Sequence, residues 1–380
     1  MKFTIDRDKL SSRLALASCV RNAAWVGLTV SGGVLRIQTG DSEIYVATDI
    51  PVTDAEDGVV LVDRKLLSTC VTTLDAGNVS IGTTKKRLRV QQGSRRRYIQ
   101  TGDPDLLPIE PKIGNQIEVT FPIRDLLGCM RRVDFALNRE SKSFTYSVLS
   151  GFYFDADDNK IFTADNVRMA FSSLPGPIQE SFLASPLCEN ALASMAKITD
   201  DDVTLRCTPP GWIELRTDGV TMRIASIGGT YPIDSVHNVC SLLDTPSAVV
   251  VTAEKGRLEP LLHMATELGK QAMLMLNMNP DDQTVTFRMD VSGAGMDDTL
   301  SEVTCTGQES ILVGLNPSYF NQAVRAIPGE FVNILAYSDH QPIIVQDDDL
   351  TVIQMVMGKV DVAEKYRNLQ KEEEDDEDDF

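Results

Sequence analysis

Apolar positions along this chain recur at two spacings, and the switches between them come in the same order three times. The segments FTIDRDKLSSRLALASCV (3–20), VTFPIRDLLGCMRRVDFAL (119–137) and VVVTAEKGRLEPLLHMATEL (249–268) each start with a short β-rich run. Each then passes through a polar entry into an amphipathic helix. Their starts lie 116 and 130 residues apart. Alternating hairpin stretches follow at 33–50, 151–171 and 283–293. A second helix then begins at Asp63, Ser185 and Asn316, residue types whose side-chain oxygens satisfy the free amides of a first turn. Pro186 and Pro317 stand at the next position, where the missing N–H is not needed. Leu66, Leu67, Cys70, Val71 and Leu74 recur at helical spacing, as do Phe320, Ala323, Val324 and Ile327, so one face of each helix packs on a sheet. Alternating strands close each unit, the first two ending in the proline corners LLPIEP and TYPIDS.

The pattern predicts an α+β chain of three repeated domains, each with two helices on antiparallel sheets. The boundaries fall at 1–118, 119–246 and 247–360. Residues 361–380 form a tail ending in KEEEDDEDDF, too acidic to bury a core and expected to be disordered. No apolar run approaches the ~20 residues that span a bilayer, so no membrane role is expected. The opening MKFTIDRDKL has charges where a leader peptide has its apolar core, and a cytoplasmic location is expected.

Charge changes the picture. The net charge is −19, which on its face argues against nucleic acid as a partner. The six helix segments nevertheless sum to +5, while the last ten residues carry −7. A positive helix face on an acidic body is one reading, with Lys85, Lys86, Arg87, Arg89 and Arg95–Arg97 as further contributors. Ordinary solvated side chains are the other. Seven cysteines, none closer than eighteen residues to the next, read as reduced and mostly buried thiols. His237, His263 and His340 stand in no hydrolytic or metal-binding spacing, and there is no P-loop or dinucleotide fingerprint. Asp155, Asp157 and Asn159 begin like a calcium loop, but Lys160 and Asn166 occupy the positions that need Gly and Glu, so a hairpin turn is expected. No metal, cofactor or catalytic activity is expected.

Several landmarks occur in a telling order: MKFTI and ATDI (47–50), GVVLVDRKLL (58–67), FAL (135–137), LSGFYF (149–154), TADNVRMA (163–170) and LNPSYFNQAVRAIPGEFVNILAYSDHQPIIV (315–345). Up to about residue 360 the chain resembles the bacterial-type β sliding clamps of DNA polymerase, bacterial or encoded by a virus of bacteria. The resemblance implies a ring-shaped head-to-tail homodimer whose helices surround double-stranded DNA without sequence readout. A clamp loader and a DNA polymerase are the implied partners. It further implies a partner-peptide pocket at Leu149, Ala164, Asn166, Val167, Arg168 and Met169, with Val239 where the family has a pocket-wall proline. Val352, Met355, Val356 and Met357 would come from the closing strand. These methionines also fit plain strand core, and an Asp165–Arg168 pair bracing a turn is the structural reading of TADNVRMA.

Arg21, Arg64, Arg124, Arg131, Arg132 and Arg325 are the expected DNA-facing residues. The expected dimer seam joins strands 78–90 and 272–279, with Met273 and Leu274 in the contact. The chain departs from the family at Met355-Val356-Met357-Gly358, which lacks the usual Pro and Arg, and at Asn166-Val167, where Gly-His is usual. The runner-up reading is a DNA-associated regulatory or structural protein that kept the fold without the clamp role. For the acidic tail, recruitment of a replication partner, competition with DNA for the helix faces, and a solubilising role all stand open.

Overall fold

The computed structural model describes residues 1–114, 117–139, 148–208 and 211–357, and beyond them Val362 and Tyr366. Gly358 and the rest of the expected tail lie outside the described residues. The chain divides into two compact units: residues 1–128 with 155–157 and 175–228, and residues 129–154 with 158–174 and 229–380.

All six helices foreseen from the pattern are present: α1 Arg7–Leu16, α2 Arg64–Thr72, α3 Ile123–Val133, α4 Leu187–Met195, α6 Lys255–Leu268 and α7 Pro317–Ala326. Their entries follow the expected chemistry. The Asp63 carboxylate accepts from the Leu66 amide at 2.8 Å and the Asn316 side chain from the Tyr319 amide at 3.1 Å. Ser185 Oγ accepts from the Leu187 amide at 3.3 Å, with Pro186 between them. A further helix, α5 (Ile233–Cys240), occupies part of what the sequence reads as a proline corner. Pro232 precedes it, and its single fully buried side chain, Val236, makes too short an apolar pattern to announce a helix.

In the first unit, thirteen antiparallel strands form one sheet. At its centre strand 44–51 pairs with 220–225, from Val220↔Thr48 to Ile224↔Ile44, linking the first repeat to the closing hairpin of the second. Charges brace this join. Arg36 bonds Glu110 at 2.8 Å, and Arg223 bonds Glu110 at 2.8 Å and the buried Glu214 at 2.7 Å. Phe3, Leu10, Leu14, Val26, Leu67 and Val71 interlock between α1, α2 and the sheet. Arg97 donates to the Cys70 carbonyl and the Thr73 hydroxyl and carbonyl, satisfying the C-terminal end of α2.

In the second unit, strand 168–173 pairs with 350–354, and strands 343–346, 331–336, 249–254 and 304–307 continue the sheet beyond it. A separate sheet runs in the order 294–300, 284–291, 274–279, 311–315. The Lys255 ammonium at the start of α6 donates to the carbonyls of Arg325 (3.0 Å) and Ile327 (2.6 Å), closing the end of α7.

Two sequence expectations need correction. Strand 274–279 has a partner on each side, and Met273 and Leu274 are 7% and 0% exposed, so this segment is sheet interior and not an open edge. Strand 78–84 is likewise flanked by 2–6 and 87–92. Strand 274–279 is apolar because strands cover both its flanks and its side chains are packed away from solvent. Two polar strands have open edges, 294–300, paired only with 284–291, and Arg95–Gln100, paired only with 87–92, while the apolar strand 311–315 is also an end strand of its sheet. The second correction concerns Arg87, Arg89 and Arg96. They pair across to Gln100, Tyr98 and Gln91, on the face opposite Leu88, Val90 and Ile99, and so point away from the core and helix α2.

Asp63→Ala removes the cap of α2. Chemical denaturation is expected to show a loss of about 1 kcal/mol, without change in the slope of the transition.

Candidate functional site: an apolar cleft beside the Asp165–Arg168 turn

The hairpin strands 160–164 and 168–173 are joined by a tight turn. Ala164 faces Met169, the Asp165 amide donates to the Arg168 carbonyl at 2.9 Å, and Asn166 and Val167 form the tip. The Asp165 carboxylate locks the turn from inside, accepting from the amides of Val167 (2.8 Å) and Arg168 (2.9 Å) and from Arg168 Nε (3.0 Å). Arg168 is nearly buried and its guanidinium is fully engaged. It donates to the Phe135 carbonyl at 2.7 Å and to the Gln322 side-chain carbonyl, and lies over the rings of Tyr319 (4.4 Å) and Phe135 (5.4 Å). The Met355 amide donates to the Val167 carbonyl at 2.9 Å, carrying the closing strand past the turn.

Along one side of this turn runs a mostly apolar cleft of about 200 Å³. Leu149, Ala164, Asn166, Val167, Arg168, Met169, Val239 and Met355 line it, so eight of the expected pocket residues come together. Val352 does not reach it. It is fully buried in strand 350–354, opposite Ala170 and Val345. Val356 and Met357 are half-buried and also outside the lining, the Met357 amide donating to the Gly314 carbonyl at 2.8 Å. Sequence reading missed Asp165, Pro232, Ser235, Val236 and Ile353. Three of these belong to α5 or its entry, so missing that helix meant missing one wall. The signal available was Val236 and Val239 three residues apart behind a proline.

Behind this wall Tyr231 stacks on Tyr153, centroids 4.6 Å apart, and burial raises the pKa of its hydroxyl well above the usual phenol value. The Cys240 thiol at the end of α5 is pushed up to about 11 by burial, so it stays protonated and unreactive at neutral pH. On the other side of the turn a second, wider cleft of about 650 Å³ is lined by Phe135, Leu137, Asn138, Arg139, Tyr319 and Gln322. Arg168 is the partition between the two. Neither cleft presents an activated nucleophile. Their chemistry is that of a binding surface, with apolar sockets, one rigid cation and exposed Val167, Val239 and Met355 at the rim.

The arginines expected to face DNA differ in exposure and in their local bonds, Arg124 being exposed as well as paired. Arg21, Arg131 and Arg325 are exposed. Arg64, Arg124 and Arg132 take part in local bonds, to the Ala17 carbonyl, to Asp200 and to Ser172 Oγ respectively.

Comparison with known proteins agrees with this architecture. A crystal structure of the DNA polymerase III subunit beta from Pseudomonas aeruginosa superposes with a TM-score of 0.83 at 18% identity, covering 94% of this chain and 100% of that one. A sliding clamp from the same organism bound to griselimycin gives 0.84 at 19%, covering 94% and 99%. A Helicobacter pylori beta clamp bound to a DNA ligase peptide gives 0.78 at 16%, covering 94% and 100%. No curated protein sequence matches the chain. The fold is therefore that of the DNA sliding clamps. Residues 1–108 match the family model of the DNA polymerase III beta subunit, N-terminal domain.

Arg168→Lys keeps the charge but loses the planar fork and the ring stacking. Thermal or chemical denaturation is expected to show a loss of about 2 kcal/mol. A variant as stable as the parent would mean that the turn is held without Arg168.

Proposed function

We propose that this chain is a processivity clamp: a non-catalytic ring that encircles duplex DNA and tethers a DNA polymerase to it. The observation that carries the reading is the apolar cleft at Leu149, Met169, Val239 and Met355, built on a clamp fold and braced by Arg168. It suits a short extended peptide with apolar anchors, the form in which a polymerase and a clamp loader would engage it in turn. Methionines at two of its walls can repack around different anchors. Domains at 1–118, 119–246 and 247–360 each contribute a helix pair, and two copies joined head to tail close the ring in the cytoplasm.

The open polar edges suggest the seam. Strand Arg95–Gln100 of one copy would pair with 294–300 of the next. In the ring Arg21, Arg131 and Arg325 meet phosphates loosely. An acidic body keeps the duplex off the outside, and the absence of tight phosphate contacts lets the ring slide.

Met169→Glu places a carboxylate in the apolar cleft. Titrating a polymerase-derived peptide with apolar anchors against this variant is expected to show a loss of several kcal/mol, at least about a hundredfold in Kd. Unchanged affinity would move the peptide site elsewhere on the molecule.

A further inference from the structure

Two features of the chain have no part in the clamp reading, and each supplies what the other lacks. The first is the path of the C-terminal stretch. The Met357 amide bonds the Gly314 carbonyl, and Val362 and Tyr366 lie against the same four-stranded sheet. Gly314, Met275, Arg288 and Asp297 are successive cross-strand neighbours in one row of that sheet. Val362 lies over Gly314, where an added Cβ would stand 3.1 Å from Val362 and 2.7 Å from the Met273 sulfur, so a larger residue there would push these side chains aside. Tyr366 stacks on the Arg288 guanidinium at 4.7 Å, and Arg288 in turn pairs with Asp297. Arg288 is 6% exposed. The row runs from strand 311–315 towards the open edge 294–300, and Val362 and Tyr366 stand along it in that order.

Residues 367–380 come after Tyr366, and Glu372–Asp379 are eight consecutive acids. Fully extended, fourteen residues reach up to about 50 Å.

The second feature is a basic patch on the outer face of the 87–92/95–102 strand pair. Arg87, Arg89 and Arg96 project from it around the half-exposed ring of Tyr98, with Lys85 and Lys86 at the adjoining turn. None of these five cations is ion-paired with a described residue. They face away from α2, so they are not placed to meet DNA with the helices. Unpaired cations of one sign repel one another and need a counter-charge, and the chain contains one of matching size.

We propose that the acidic segment Glu372–Asp379 of one copy docks on the basic outer face of the second copy's strands 87–92 and 95–102, a strap across the seam between them. This rests on the head-to-tail dimer. In that arrangement the Tyr366 anchor lies over a sheet whose open edge meets the edge carrying the patch. The strap slows opening of the ring without adding to its apolar contacts, and salt weakens it.

The test measures mass by light scattering and then subunit exchange between two fluorescently labelled populations of the full chain. Truncation after Gln370 and, separately, the triple change Arg87→Glu, Arg89→Glu, Arg96→Glu are each expected to speed exchange by roughly tenfold at low salt, with the gap closing as salt rises. Combining them should add little. Replacing the tail acids with lysines in the triple variant should restore slow exchange, which a merely damaged fold would not allow. A dimeric mass with the same exchange rate for full and truncated chains overturns the strap alone. Tighter DNA binding on truncation with unchanged exchange overturns it too and assigns the tail to the helix faces. A monomeric mass for the full chain overturns the dimer and the strap together.

Discussion

The pairing of strand 168–173 with strand 350–354 is the contact on which the functional site depends. Its register, Arg168↔Gln354 through Ser172↔Leu350, is fixed by side chains that point alternately into the core and out of it. A slip of one residue would turn Met169 and Ile353 away from the cleft and bring Arg168 out of its socket. The same pairing brings a turn from the middle of the sequence against a strand from its end, so the cleft exists only when both are folded. Strand 44–51 makes an equivalent join to 220–225 in the first unit, braced by the Arg36–Glu110–Arg223–Glu214 charge network, with Glu110, Glu214 and Arg223 lining a polar cleft of about 520 Å³. One kind of join thus serves twice, once beside a cleft lined by ion pairs and once beside an apolar cleft.

Arginine and lysine have at least three separate uses in this chain. Arg97 and Lys255 each reach from a neighbouring element to satisfy the last carbonyls of a helix. Arg168 and Arg288 are stacked on aromatic rings and paired with Asp165 and Asp297. Arg21, Arg131 and Arg325 stay exposed. A net positive helix charge therefore overstates what is left for a duplex. In the proposed clamp a weak residual field suits a ring that holds DNA by enclosure, since many tight phosphate contacts would bind strongly and slow its movement.

The elements were legible in the sequence wherever a local signal existed. Asp63 and Asn316 announced their helices because capping is decided within a single turn. The Asp165–Arg168 brace was legible for the same reason, its partners being three residues apart. Helix α5 was not, because eight residues with one fully buried side chain carry almost no period, and its absence hid Pro232, Ser235 and Val236 from the site. The edges were read backwards. Met273 and Leu274 looked like a sticky edge, whereas their apolarity reflects partners on both sides that only the tertiary pairing supplies. Val352, similarly, is core because Ala170 and Val345 flank it, although its neighbour Ile353 lines the cleft.

The central claim is that DNA is held by enclosure. It is tested most directly by measuring retention of the assembled chain on a nicked circular duplex by gel filtration, before and after a single restriction cut. The account predicts that the protein stays with the circle and separates from the linear product at the same salt concentration. Equal retention on both forms would mean that the chain binds DNA by contact and does not encircle it.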